Sequence, residues 1–270
     1  MPIIGIDLGT TNSLAAVYRG GRCQLIPNAF GEVLTPSVVS MDEDGTVLVG
    51  QAAKERLITH PGRTAAAFKR SMGTTRQFLL DQKLFSPEEL SALVLRRLKE
   101  DAEAFLGEPV EEAVVSVPAY FTDRQRAATK RAGMLAGLKV DRLINEPSAA
   151  ALACYDPAQG DAAFLVYDFG GGTLDVSVVD CFEIVVIILA VSGDNQLGGN
   201  DFDAAIAHMY CQQNGIDYGG LPPEKKAILL AQAEQCKRTL TESPMAMMVL
   251  DLPGLEGSMG LTGQKLIEGA

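Results

Sequence analysis

Two stretches of the chain share one pattern of apolar and polar positions: an apolar run closing on Asp, a Gly/Thr turn, then a second apolar run. The first is Ile4-Gly5-Ile6-Asp7-Leu8-Gly9-Thr10-Thr11-Asn12, and the second is Val166-Tyr167-Asp168-Phe169-Gly170-Gly171-Gly172-Thr173-Leu174-Asp175. Short apolar runs bounded by Gly and Asp predict strands. Each copy continues into a second strand (Asn12 to Tyr18; Leu174 to Val179), a turn (Arg19-Gly20-Gly21; Asp180-Cys181-Phe182) and a third strand (Cys23 to Ile26; Glu183 to Val191). The pattern therefore predicts an internal duplication. Because each copy runs on into helical material, the fold class is α/β, with two related lobes facing one cleft.

Between the first meander and the buried-strand pattern Ala113 to Pro118 lies an insertion-like block, about 38–112. Within it Pro87 to Leu106 is amphipathic, with Ser86 as cap and Pro87 at the first helical position. Further helices are expected at Asp123 to Ala136, at Ser148 to Cys154 behind Pro147, and from about Glu224 to Thr241. The turn-rich stretch Tyr155 to Ala162 divides lobe I (1–159) from lobe II (160–270).

An apolar share of 47% over 270 residues is ample for buried cores. The formal net charge of −11 argues against general nucleic-acid or anionic-membrane binding, which work through Lys/Arg fields, so any phosphate site must be local. Cys23, Cys154, Cys181, Cys211 and Cys236 show no redox or zinc spacing and read as buried free thiols in a reducing cytoplasm. A strand pattern within three residues of the amino terminus leaves no room for a secretion signal, and the greasiest run, Ile184 to Val191, is too short to span a bilayer.

Residues that tolerate φ > 0 and lack bulk let backbone N–H groups converge on phosphate, so two Gly turns suggest two clamps on one nucleoside triphosphate. Neither a P-loop nor a Gly-x-Gly-x-x-Gly after a strand is present. The two histidines, His60 and His208, stand in unrelated contexts, which argues against a Ser-His-Asp triad or a His-rich metal site. Carboxylates, glycines, hydroxyls and a lysine remain, and they suffice for phosphoryl transfer, which is mostly positioning and charge neutralisation. Asp7 and Asp168 end matching strands and could hold a hydrated Mg²⁺ between them, although either alone could simply cap its turn. Thr10 and Thr173 could donate to phosphate oxygens or serve only as local backbone partners. Asp175 is a catalytic candidate or a solvated strand residue.

The chain resembles the nucleotide-binding domain of DnaK-type heat-shock chaperones, within the actin, hexokinase and sugar-kinase superfamily. The resemblance rests on Gly5 to Ser13, Val117-Pro118-Ala119-Tyr120-Phe121, Asn145-Glu146-Pro147-Ser148-Ala149-Ala150-Ala151, Asp168 to Thr173, and Gly193-Asp194 through Leu197-Gly198-Gly199 to Asp201-Phe202-Asp203. The segments Leu25 to Ser37 and Phe68-Lys69-Arg70-Ser71-Met72-Gly73 look closest to the HscC branch. The resemblance implies an actin-like (ribonuclease H-like) ATPase fold, ATP or ADP with Mg²⁺ as cofactors, and K⁺ as a further cation. It also implies that Gly9, Thr10, Thr11 and Asn12, with Gly170, Gly171, Gly172 and Thr173, cradle the phosphates. Lys69 would orient the γ-phosphate and the attacking water, and Glu146 would handle a proton or order water. Gly199, Glu234, Lys237, Arg238 and Thr241 would bind the nucleotide, with Glu234 on the ribose and Lys237 and Arg238 on the base. On spacing alone, Glu234, Lys237, Arg238 and Thr241 equally describe a solvated helix face. Pro118 and Arg126 match the pair that relays nucleotide state in relatives, and the expected partners are a J-domain co-chaperone and a nucleotide-exchange factor.

Two departures from the family stand out. The run Ile184 to Val191 lacks alternating polar positions, so both of its faces require cover. Lys265 to Glu268 reads as about one helical turn before Ala270, where relatives continue through another Gly-rich loop and a peptide-binding domain. The second lobe is accordingly expected to be incomplete, with client peptides reached only through the absent domain. A small-molecule kinase of the same superfamily, and a remnant that binds nucleotide or co-chaperones without turnover, remain rival functions.

Overall fold

The computed structural model describes every residue except Pro157, Gln159, Ile184 and Ala270. The expected lobe seam, the start of the greasy run and the last residue therefore fall partly outside the described residues.

The first half is built on β1 (Ile3–Asp7), β2 (Asn12–Arg19) and β3 (Arg22–Ile26), an antiparallel meander. Gly20 and Gly21 join β2 to β3 at φ of 61° and 79°, left-handed values that a side chain would resist. β4 (Thr35–Pro36) pairs with the start of β2. β5 (Val38–Met41), β6 (Val47–Val49) and β7 (Thr64–Ala66) form a small sheet beside α1 (Gln51–Thr59), followed by the hairpin of β8 (Phe78–Leu80) and β9 (Lys83–Phe85). α2 (Pro87–Leu106) opens with a capping box: the Glu89 N–H donates to Ser86 Oγ, and the Ser86 N–H donates to the Glu89 carboxylate. β10 (Glu112–Val117) lies parallel to β1, and α3 (Asp123–Leu135) returns the chain to β11 (Leu143–Asn145), parallel to β10. The sheet order is β11-β10-β1-β2-β3. Leu90, Val94, Leu95 and Leu98 of α2 pack with Ile4, Ile6, Val17, Val39 and Ala65 in one buried cluster, so block 38–112 shares its core with the meander.

α4 (Glu146–Cys154) leads to the second meander, β12 (Ala162–Phe169), β13 (Leu174–Phe182) and β14 (Val185–Asp194), also antiparallel. The expected turn at Asp180-Cys181-Phe182 lies further on: Phe182 pairs with Val185, and Glu183 takes φ 51°. Burial of Val179 and Cys181 in one cluster with Ala151 of α4 continues the alternation and lengthens the strand. The face toward α4 is covered. On the other face Leu165, Tyr167, Val185 and Ile187 are exposed, Leu165 by 70%. α5 (Gly199–Gln213), α6 (Pro223–Thr239), the hairpin of β15 (Met245–Leu250) and β16 (Gly257–Thr262), and α7 (Gly263–Gly269) follow. They share a core around Ile206, Tyr210, Leu229, Ala233, Met248 and Leu261. Of the thiols expected to be buried, Cys181, Cys211 and Cys236 are, whereas Cys23 on edge strand β3 and Cys154 at the end of α4 are exposed. Among the described residues no helix is long and apolar enough to cross a membrane.

Candidate functional site

The strand ends of the two meanders meet in a cavity of about 440 Å³, lined by Asp7, Gly9, Thr10, Thr11, Asn12, Lys69, Ser116, Glu146, Ala149, Ala150, Asp168, Gly170, Gly171 and Thr173. A larger hollow of about 510 Å³, between the loop around Asn28 and α2, gathers neither a glycine-rich turn nor a carboxylate pair.

The glycines of this site are required by close approach. None of Gly9, Gly170, Gly171 or Gly172 has positive φ, so the expected conformational reason does not hold. A Cβ on Gly171 would lie 1.9 Å from Thr11 Oγ1, and one on Gly172 would lie 2.4 Å from Thr10 Cγ2. The two turns touch, and only a missing side chain lets them. A Cβ on Gly9 would meet Asn12 O at 2.1 Å within its own turn.

The second turn is pinned from behind. The N–H groups of Gly199 and Asn200, at the start of α5, donate to Gly170 O (3.0 Å) and Gly171 O (2.8 Å). Because a planar trans peptide points its C=O and the next N–H in opposite directions, these bonds turn the Gly171 and Gly172 N–H groups to the other side of the loop. That side can receive an anion.

Carboxylates dominate the rest of the cavity. Ser116 Oγ, on β10, donates to Asp7 Oδ1 at 2.8 Å and fixes that carboxylate. Asp168 and Asp175 are directly opposed across β12 and β13, an unfavourable pairing of like charges unless something positive lies nearby. Both Asp175 oxygens, Ser177 Oγ and Tyr120 OH are buried without hydrogen-bond partners. Burial, then the charges of Glu146 and Asp168, raises the Asp175 pKa from 3.8 to about 6, against the opposing charge of Lys69. Burial and then the Asp175 charge push the Tyr120 phenol upward. Lys69 Nζ donates to Glu146 Oε1 at 2.9 Å and lies 5.9 Å from the centre of the Phe121 ring. Burial raises the Glu146 pKa, Lys69 pulls it down, and the charges of Asp7 and Asp168 add to the rise. Lys69 stands on the short 3-10 turn Phe68–Ser71, whose backbone enters through Ala67 at φ 54°.

The family model described as Hsp70 protein matches residues 3–79 and 75–258 of the chain. The chain belongs to the Hsp70 family. Hsp70 nucleotide-binding domains have the actin-like ATPase fold, bind ATP or ADP with Mg²⁺, and work with J-domain proteins and nucleotide-exchange factors.

In this Hsp70 chain Asp7, Glu146 and Asp168 line the cavity, and Asp175 stands opposite Asp168 across the strand pair. Among the described residues no group of three or more His, Cys, Asp and Glu closes around one point. Mg²⁺ suits such a site, since it keeps waters and takes one or two carboxylates plus phosphate oxygens. The adenosine candidates stand outside the cavity lining. Lys237 Nζ donates to Gly199 O (2.7 Å) and pairs with Asp203 Oδ1 (2.7 Å). Glu234, half-buried, lies one turn before Lys237 and Arg238 on α6, and Arg238 is exposed. Thr241 is past the end of α6, its N–H turned onto Arg238 O, so it does not continue the helical face expected for it. Arg126 binds the carbonyls of Phe121 (3.0 Å), Ala119 (3.1 Å) and Pro118 (3.5 Å) and Asn145 Oδ1 (2.8 Å), beside Glu146. Sequence reasoning missed Ser116, Asp203 and the bonds of Arg70 described below. Asp203 and Arg70 sat inside quoted motifs, but no local spacing announces partners so far away along the chain.

Proposed function

We propose that this chain is the nucleotide-binding domain of an HscC-like Hsp70 and hydrolyses Mg²⁺-ATP. The observation that carries the reading is the contact of the two duplicated turns over the cavity that holds the Lys69–Glu146 pair. A nucleotide polyphosphate fits a cavity lined by both turns, the second with its Gly171 and Gly172 N–H groups turned away from the bonds that pin it, and Asp7 and Asp168 are the residues that would hold Mg²⁺. When bound, the ion neutralises phosphate charge. Water attacks the γ-phosphorus as the bond to the β,γ-bridging oxygen breaks, and ADP leaves. The ammonium of Lys69 sits at the cavity wall to orient water and γ-phosphate. Glu146, whose raised pKa makes it a better proton acceptor than an ordinary carboxylate, orders that water and handles its proton. Ser116 holds Asp7 in place. The adenosine is assigned to Glu234, Lys237 and Arg238 of α6, and K⁺ to the neighbourhood of Asp175. The Arg126 bonds to Pro118 and Asn145 make a relay from the cavity to the surface, read by a cytoplasmic J-domain co-chaperone or exchange factor.

Steady-state phosphate release from Mg²⁺-ATP tests the reading, with Lys69→Ala beside the parent chain. Loss of turnover with nucleotide binding retained is expected, because the lysine acts in the transition state. A parent chain that binds ATP but releases no phosphate would be a binding remnant. Release that depends on a small hydroxylated acceptor would make it a kinase.

A further inference from the structure

Gly170 O and Gly171 O of the second phosphate turn are held by backbone of the same half, but the third carbonyl is not. Gly172 O accepts from Arg70 Nε at 2.7 Å, across 102 residues of sequence. The same guanidinium forks onto Asp201, Nη1 donating to Oδ1 at 3.2 Å and Nη2 pairing with Oδ2. Asp201 is itself fixed, because its Oδ2 also accepts the Gly198 N–H at 2.8 Å, at the start of α5. Arg70 thus reaches from the first half of the molecule to both structures that shape the turn. Its neighbour in sequence is Lys69, the lysine of the cavity wall.

We infer that Arg70 is a positioning residue for nucleotide phosphate: its bond to Gly172 O sets the Gly172–Thr173 peptide so that the Thr173 N–H faces bound phosphate. The inference deepens the proposed function and rests on it. With Gly172 O drawn to the guanidinium, planarity sends the Thr173 N–H the other way, to the side on which Thr173 lines the cavity. Since all three carbonyls of the turn are then occupied, no peptide in it is free to flip. Glycine makes this restraint necessary, because three consecutive residues without side chains have no steric preference of their own to hold the turn. Arg suits the task where Lys would not. A planar fork can bind a carboxylate with two nitrogens and a carbonyl with the third, whereas an ammonium is a single point. Arg70 also sets the distance between Lys69 and the turn, since the two residues share one backbone segment.

The test compares Mg²⁺-ATP with AMP, which lacks the β- and γ-phosphates, by calorimetry on the full chain. For Arg70→Ala the inference expects ATP affinity to fall by about tenfold or more, the scale of a lost charge-assisted hydrogen bond, with AMP affinity changed less than about twofold. Arg70→Lys should not restore ATP binding. A general structural role would move ATP and AMP together. Equal losses for both ligands, no loss for either, or full rescue by Arg70→Lys would overturn the inference. Should Arg70→Ala fail to fold, Asp201→Asn, which keeps an acceptor for the Gly198 N–H, is read by the same criteria. A parent chain that binds ATP no tighter than AMP would instead overturn the proposed function itself.

Discussion

Contact between the two turns makes Gly171→Ala the sharpest structural probe of the cleft. An added Cβ would stand 1.9 Å from Thr11 Oγ1 and 3.0 Å from Thr11 Cβ. Rotating Thr11 about χ1 removes the first clash, since its hydroxyl has no hydrogen-bond partner to lose. The second persists, because Cβ does not move with χ1. The turns must therefore separate by a few tenths of an ångström, and overpacking of this kind costs about 1–3 kcal/mol. If nucleotide binds with the turns closed, that strain appears as about a 5- to 150-fold weaker Kd. Gly170→Ala is the control. Its Cβ would meet nothing closer than Thr173 O at 3.6 Å, an ordinary contact, and its φ is not left-handed. Titration calorimetry with Mg²⁺-ATP should show weak binding for Gly171→Ala and near-parent binding for Gly170→Ala. Thermal unfolding without nucleotide, run in parallel, separates a loosened cleft from global destabilisation. Adding Thr11→Gly to Gly171→Ala removes both clashing atoms, so the losses of the two single variants should not add. Equal effects of the Gly170 and Gly171 variants, or additive losses in the double variant, would refute the close-approach reasoning.

Asp168→Asn should weaken ATP binding in Mg²⁺ much more than in EDTA, and a defect of equal size in both would make Asp168 a turn residue only. In the nucleotide- and Mg²⁺-free chain, the raised pKa of Asp175 means that the folded state binds its proton more tightly than the unfolded state, so stability falls as pH rises from the unfolded value of 3.8 through about 6. Asp175→Asn should therefore be more stable than the parent to urea at neutral pH, by roughly 1–2 kcal/mol after discounting for water that reaches the cavity, with the difference gone near pH 4. An Asn variant less stable than its parent at neutral pH would count against the burial of an uncompensated charge. Lys69→Ala, read by phosphate release as above, completes the set.

Much of the fold was legible because the elements announce themselves locally. α2 starts and ends where Ser86, Pro87 and the apolar spacing place it, and Ser86 makes the expected capping box with Glu89. The duplicated meanders follow from two matched runs of apolar residues broken by Gly and Asp. What failed at this level failed for tertiary reasons. β13 runs on through Phe182 because Cys181 is buried in the cluster with Ala151 of α4, a partner that local hydropathy cannot reveal.

The candidate site divides in the same way. Residue types and order within single segments put Asp7, Glu146, Asp168 and the Gly turns on the page, since strand ends and turns are short-range events. Only the folded chain decided why those glycines are glycines: Gly171 and Gly172 make room for Thr11 and Thr10, more than 150 residues earlier in the sequence. It also decided that Ser116 fixes Asp7, that Lys237 is held by Asp203 and Gly199 O, and that Arg70 spans to Gly172 and Asp201. Each of these joins residues whose separation along the chain is set by the topology of two sheets. Hydrogen bonds and steric contacts act over a few ångströms of space, whereas periodicity and capping act over a few residues of sequence. The chain alone therefore determined its elements and its chemistry, and tertiary packing determined which of those groups face one another.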